Sequence, residues 1–366
     1  MNAVYSLIMK LFKCQNCSQL LYFENTHCEQ CGYSLGFLPS QGDLITLITL
    51  NDFTLLDLKN QQDHYRYCAN STYNACNWLV SSQSPDQFCL ACKLNGVVPD
   101  LNNPDRLTNW RKLEIAKHRL VYTLLKLRLP VSSKLDDEPT GITFEFLAPE
   151  DTDKKVVMGH EDGVITINLN EADDVKRVAM REKLHEPYRT LAGHFRHESG
   201  HYYWDRLIKD SPQRLQSFRK LFGDDNLDYA VALKNYYSAG APANWISSFV
   251  SAYATAHPWE DWAETWAHYL HIIDTLETAY SHGLKTNPPL DGERRLFSDH
   301  NHDPFEVADF NDLIELWYPL TVTINSLNRS MGQPDFYPFV IPSPAVEKLD
   351  FIHRVCFKKF DKVNHN

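Results

Sequence analysis

The stretch Gly193-His194-Phe-Arg-His197-Glu198-Ser199-Gly200-His201 carries residue types whose spacing could do chemistry. His197 and His201 are four apart, so on a helix their imidazoles leave one face a turn apart and can reach a single metal ion. Glu198 lies about 100° around that helix, close enough to touch a water beside the ion without ligating it. This set suits a zinc ion that activates water, with Glu198 as the general base. Ser199 and Gly200 are small and let another element approach the helix near the ion. His194 shares the stripe, but its Cα lies about 10 Å along the axis from that of His201. Zn–N bonds of about 2.1 Å do not comfortably span such a gap. His194 therefore reads as pocket lining, and Asp205 as an outer acceptor for an imidazole N–H.

A catalytic zinc also needs a third protein ligand and an open position. The candidates lie in His257-Pro-Trp-Glu260-Asp261-Trp-Ala-Glu264-Thr-Trp-Ala-His268-Tyr-Leu-His271. Pro258 suits a first helical turn, where Glu260 and Asp261 would complement the dipole. Glu264 sits deeper, among Trp262, Ala263, Trp266 and Ala267, surroundings that exclude a lone carboxylate unless a metal takes it. Glu264 is the favoured ligand, with Glu260 in reserve. His268, one turn further, suits an outer or transition-state role. His257, Tyr236, Tyr237 and Tyr253 are the other candidates for holding an oxyanion.

Cysteine supplies a second chemistry. Cys14-x2-Cys17 and Cys28-x2-Cys31 are two knuckles ten residues apart, and together they complete a tetrahedron of thiolates around Zn²⁺. Gly32 follows the second knuckle, where the backbone needs freedom. Cys68, Cys76, Cys89 and Cys92 follow within 25 residues and read as another closed four-thiolate site, although only the last pair is a Cys-x2-Cys. Disulfides would need an oxidising compartment. Met1–Phe12 is a poor signal sequence, its apolar patch broken by Lys10, and the expectation is a cytoplasmic protein. Cys356 reads as a core residue.

These residues need elements to position them. Apolar positions Leu113, Ala116, Leu120, Leu124 and Leu127 recur at helical spacing between Trp110 and Leu129, and Pro130 stops that helix. Ile142–Leu147 and Gly163–Leu169 read as strands. Beyond Glu171 the pattern is helical, with breaks at Pro187, Pro212, Gly240–Pro242, Pro258 and Pro288–Pro289. In 366 residues, 36 Lys and Arg face 47 Asp and Glu, a net charge of −11, which argues against a broad nucleic-acid or anionic-membrane surface. No apolar run reaches the roughly 18 residues that span a bilayer.

Trp262-Ala-Glu264-Thr-Trp-Ala-His268-Tyr resembles the glutamate helix of gluzincin peptidases. The wider pattern resembles the bacterial family of zinc-binding metallopeptidases with an N-terminal zinc ribbon. It is carried by Cys14–Cys31, Cys68–Cys92, Gly163-Val-Ile-Thr-Ile-Asn, Glu171-Ala-Asp-Asp, Glu186-Pro-Tyr-Arg-Thr-Leu, Gly193–Asp205 and His257–His271. The resemblance implies His197 and His201 as ligands and Glu198 as the catalytic glutamate. Glu264 as ligand rests on the gluzincin likeness, from which this chain departs: 62 residues lie between His201 and Glu264, far more than in typical gluzincins. The expected fold is α+β, a predominantly helical zincin-like catalytic domain (106–366) with a small antiparallel sheet. It follows a zinc ribbon (1–40) and a second, four-cysteine zinc-binding module (41–105). The implied cofactors are one catalytic and two structural Zn²⁺, and the substrate is a peptide or protein. The alternative is a catalytically silent, zinc-stabilised protein-binding module acting through the ribbon. Nucleic acid is the weaker partner, because Lys10 and Lys13 are the only basic residues near the first knuckles.

Overall fold

A computed structural model describes residues 10–51, 54–151, 156–178, 190–289 and 296–357. Glu186–Arg189 of the quoted pattern, Pro187 among the helix breaks, and Met1–Met9 lie outside the described residues. The chain divides into two compact units, the first from Met1–Gly159 and Gly163–Met180, the second from His160–Asp162 and Arg181–Asn366.

In the first unit, alternation of apolar and polar residues produces a five-stranded antiparallel sheet. Its strands are Ser34–Leu38, Asp43–Asn51, Thr54–Asp57, His64–Tyr67 and Leu79–Ser81, paired in chain order. Leu38, Ile45, Leu47, Leu55, Tyr65 and Leu79 form one buried cluster. This sheet runs across the expected boundary at residue 40, so both cysteine clusters share one scaffold. Gly32 closes the second knuckle with φ +75°, its N–H donating to Cys28 O at 2.8 Å.

Helix α1 (Pro104–Lys126) begins earlier than the expected Trp110 because Asn103 caps it, its side chain accepting from the N–H groups of Asp105 and Arg106. Tyr122 of α1 joins Phe23, Phe37 and Trp78 in an aromatic core with ring centroids 4.8–6.3 Å apart. Thus α1, expected in the catalytic domain, packs in the first unit. The strands Thr143–Leu147 and Val164–Asn168 pair in parallel, and Asn95–Val97 pairs in parallel with the first of them. Lys285–Thr286 and Ser298–Asp299 form a small antiparallel sheet as expected, whereas Thr143–Leu147 and Val164–Asn168 run parallel. Sixteen residues separate the two strands, enough for the crossover a parallel pair needs, whereas a hairpin needs only a few.

The second unit is helical: α2 (Leu191–Trp204), α3 (Pro212–Phe222), α4 (Tyr229–Ala239), α5 (Pro258–Ser281), α6 (Phe310–Ser330) and α7 (Ser343–Cys356). Pro212 and Pro258 each start a helix. Helix α5 is the hub, packed by α2, α3, α6 and α7. Its Trp262, Trp266, Tyr269, Leu270, Ile272 and Ile273 are fully buried. Cys356 is buried at the end of α7, a core residue as expected. Among the described residues no helix is long and apolar enough to cross a membrane.

Helices α2 and α5 meet at Gly200. A Cβ there would stand 2.9 Å from Ala263 Cα and 3.2 Å from the Trp266 side chain. Two indole bonds hold the crossing: Trp262 Nε1 donates to Gly200 O at 2.8 Å, and Trp266 Nε1 to Ser199 Oγ at 3.2 Å. Gly200→Ala must push the helices apart. We expect it to destabilise the fold by about 1–3 kcal/mol in urea unfolding, and wild-type stability would show that the crossing yields freely.

Candidate metal centre

Thr190 caps α2, its hydroxyl accepting from Gly193 N–H at 3.0 Å. From there the helix presents His197 and His201 one turn apart towards α5, with ring centroids 5.0 Å apart. On α5, Glu260 and Glu264 also stand one turn apart. Glu260 Oε2 lies 3.0 Å from His197 Nε2 and 3.6 Å from His201 Nε2. The ligand atoms of His197, His201 and Glu260 all fall within 4.8 Å of one another. Glu264 is not in that group. Its Oε1 instead accepts from His197 Nδ1 at 2.7 Å, and its Oε2 accepts from the Ser251 hydroxyl at 2.6 Å.

This differs from the expectation of Glu264 as the third ligand, and the reason is geometric. A buried imidazole has two nitrogens on opposite edges. The turn of α5 nearer its N-terminus meets the Nε2 edges, and the next turn meets Nδ1 of His197. The penalty for burying Glu264 is removed by an imidazole N–H and a hydroxyl. Glu260, expected as the reserve ligand, is 1% exposed.

Three features fit a zinc ion at this point. His197 Nδ1 faces a carboxylate that can only accept, so it carries the proton and the lone pair of the neutral ring sits on Nε2. Glu260 Oε1 accepts from the Tyr229 hydroxyl, while Oε2 is buried without a hydrogen-bond partner and faces both Nε2 atoms. Two imidazoles and one carboxylate are also the donor set of an open zinc site. Burial alone would raise the Glu260 carboxyl, but the His197 and His201 imidazoles that face it hold it well below the usual range. Glu198, buried on α2, shows the opposite sign. Desolvation pushes its carboxyl up, outweighing the two nearby imidazoles.

The other expected residues are spread around this centre. His268 is turned away: its Nδ1 meets the Tyr337 hydroxyl at 2.6 Å, its ring lies edge-on to Phe339, and burial pushes it down to about 4. His257 caps α5, with Nδ1 accepting from Trp259 N–H and Nε2 donating to Leu227 O at 3.1 Å. Asp205 pairs with Lys209 at 3.2 Å rather than with an imidazole. Tyr253 stands beside the centre, its ring 5.9 Å from that of His197, and packs on Tyr236, which packs on the exposed Tyr237. Tyr229 and Ser251 escaped sequence reasoning, since neither falls at a fixed interval from the residues it holds. Helix α4, which begins at Tyr229, buries none of its side chains.

The cysteines form two groups of four. In the first, Cys14 and Cys31 sulfurs lie 3.6 Å apart and those of Cys17 and Cys28 3.5 Å. In the second, Cys76 and Cys89 lie 3.7 Å apart. These spacings match the edge of about 3.8 Å of a tetrahedron with Zn–S bonds of about 2.3 Å. Backbone N–H groups of Cys89, Trp78 and Cys92 point at the sulfurs of Cys68, Cys76 and Cys89. In the first group, the backbone at Tyr33 helps pull the Cys31 thiol down to about 6.

The chain belongs to the family described as "Putative zinc-binding metallo-peptidase", whose sequence model matches residues 106–355. Residues 11–103 match a zinc-ribbon domain. Its relatives include proteins of Mycobacterium tuberculosis (strain ATCC 25618 / H37Rv) and Mycobacterium bovis (strain ATCC BAA-935 / AF2122/97). Each is described as an uncharacterized protein and is 42% identical over 347 residues, 95% of both chains. No solved structure matches.

The Glu264 carboxylate sets the tautomer and aim of His197. Removing it in Glu264→Ala is expected to weaken zinc binding at the histidine centre by about 10- to 100-fold, read by chelator competition. Unchanged affinity would show that the ring is held by something else.

Proposed function

We propose that this family member is a zinc-dependent peptidase, gluzincin-like in its Glu-bearing helix, with His197, His201 and Glu260 as the ligands of the catalytic ion. One observation carries the reading: a buried carboxylate oxygen without a hydrogen bond faces two imidazole Nε2 atoms, with a buried glutamate next to one of them in the chain. A zinc ion there supplies Lewis acidity, polarising the scissile carbonyl and easing deprotonation of the attacking water.

The chain's own residues do the rest. Glu198 takes the proton from the water as it adds to the carbonyl carbon, and returns it to the amine as the C–N bond breaks. Its raised pKa brings it nearer to the working range of a general base. Ser251 and Glu264 fix His197, and the Tyr229 hydroxyl fixes Glu260 so that Oε2 faces inward. Of the oxyanion candidates, His257 and His268 are engaged elsewhere, whereas Tyr253 stands against His197. Two structural zinc ions in the cysteine groups complete the complement, and eight reduced thiols suit the cytoplasm. The substrate is a peptide or protein, and the ribbon is the surface for any protein partner.

Glu198→Gln keeps the ligands and removes the base. It is expected to bind zinc at the histidine centre with wild-type affinity while peptide hydrolysis falls by about 10²–10⁴-fold. Undiminished turnover in the zinc-loaded variant would overturn the mechanism.

A further inference from the structure

We infer that His118 of α1 is a ligand of the second cysteine centre, so that its ion is held by one imidazole and three thiolates. The ring is 4% exposed, and its Nε2 lies 3.2 Å from Cys76 Sγ, 3.6 Å from Cys92 Sγ and 4.0 Å from Cys89 Sγ. With Zn–S of about 2.3 Å and Zn–N of about 2.0–2.1 Å, a tetrahedral site has N···S edges of about 3.6 Å. The three observed separations scatter around that value. The Cys76–Cys89 edge of 3.7 Å belongs to the same tetrahedron.

The tautomer agrees. His118 Nδ1 lies 2.6 Å from the backbone carbonyl of Glu114, an oxygen that only accepts. Nδ1 therefore carries the proton, and the neutral ring aims its Nε2 lone pair at the sulfurs. This is the arrangement in which metal-bound imidazoles are held by a carbonyl on their far side. Trp78 packs edge-on against the ring, centroids 5.1 Å apart, and keeps it from swinging away.

Charge points the same way. Cys68, Cys89, Cys92 and Glu114 are 0–3% exposed. An ion with four thiolates would bury a charge of −2 beside the Glu114 carboxylate. The Lys117 ammonium already bonds that carboxylate at 2.9 Å, so it is committed. A neutral imidazole in place of one thiolate lowers the buried charge to −1, which costs less in a dry site. Glu114 Oε2 lies 3.5 Å from Cys92 Sγ, so the carboxylate borders the sulfurs directly. Five donors thus surround a four-coordinate ion.

The ribbon match ends at residue 103 and the peptidase match starts at 106, yet His118 lies within the second and the cysteines within the first. The ion therefore ties the two matched segments together, and the ribbon does not complete its second centre without α1.

The test uses the full chain, labelled with ¹⁵N-histidine and loaded with ¹¹³Cd²⁺. Two cadmium resonances in the thiolate range are expected, one of them split by a single ¹⁵N coupling. The histidine centre, which has no sulfur donors, resonates apart. In His118→Ala the split resonance should move or vanish and the other should stay. Two thiolate-range resonances without ¹⁵N coupling in the wild-type chain would overturn the assignment, and so would a coupling that survives His118→Ala.

Discussion

The close crossing of α2 over α5 at Gly200 is the constraint on which the histidine centre depends. Each helix contributes donors spaced one turn apart, and the two stripes meet only if the axes sit at a fixed distance and rotation. Metal–ligand distances tolerate only about ±0.2 Å, whereas helix packing by apolar contact alone leaves far more freedom. The missing Cβ of Gly200 sets the approach, and two indole N–H groups aimed at Gly200 O and Ser199 Oγ remove the remaining slide. The large tryptophans of α5 are thus core residues whose polar edges locate the site.

Two acids on one helix have been given different work by one turn of displacement. Glu260 meets the Nε2 edges and keeps an oxygen without a hydrogen bond, while Glu264 meets Nδ1 and is saturated by His197 and Ser251. Both are held ionised against burial by neighbouring imidazoles. The same logic recurs around His118 on α1, where a backbone carbonyl rather than a carboxylate holds the far nitrogen. In both places the oxygen that aims the ring accepts from its far nitrogen and lies outside the set of ligand atoms.

What could be read in advance follows from how local each signal is. Histidines four apart and Cys-x2-Cys turns are local geometry, so His197 with His201 and the eight clustered cysteines were recognisable as groups before any fold was known. So was the role of Ser199 and Gly200 as room for a neighbour. The choice between Glu260 and Glu264 was not local, since it depends on how α5 is rotated against α2. Glu264 keeps 21% of its side chain exposed, and the partners that hold it, Ser251 and His197, come from tertiary placement. The parallel pairing of Thr143–Leu147 with Val164–Asn168 was hidden for a similar reason: alternation reports which face is buried and is silent on strand direction. His118 lies 26 residues beyond the last cysteine of its centre, with no spacing rule to join them.

Helix α4 reaches the histidine centre through Tyr229, and none of its side chains is fully buried. Segments with so little apolar anchorage open at small free-energy cost while the rest of a protein stays folded. Fraying of α4 carries the Tyr229 phenol off Glu260 and leaves that carboxylate free to rotate, although nothing in the hub has moved. The rigidity of the Glu260 carboxylate is therefore set by the least anchored helix of its unit, and its aim at the two imidazoles is kept or lost with that helix.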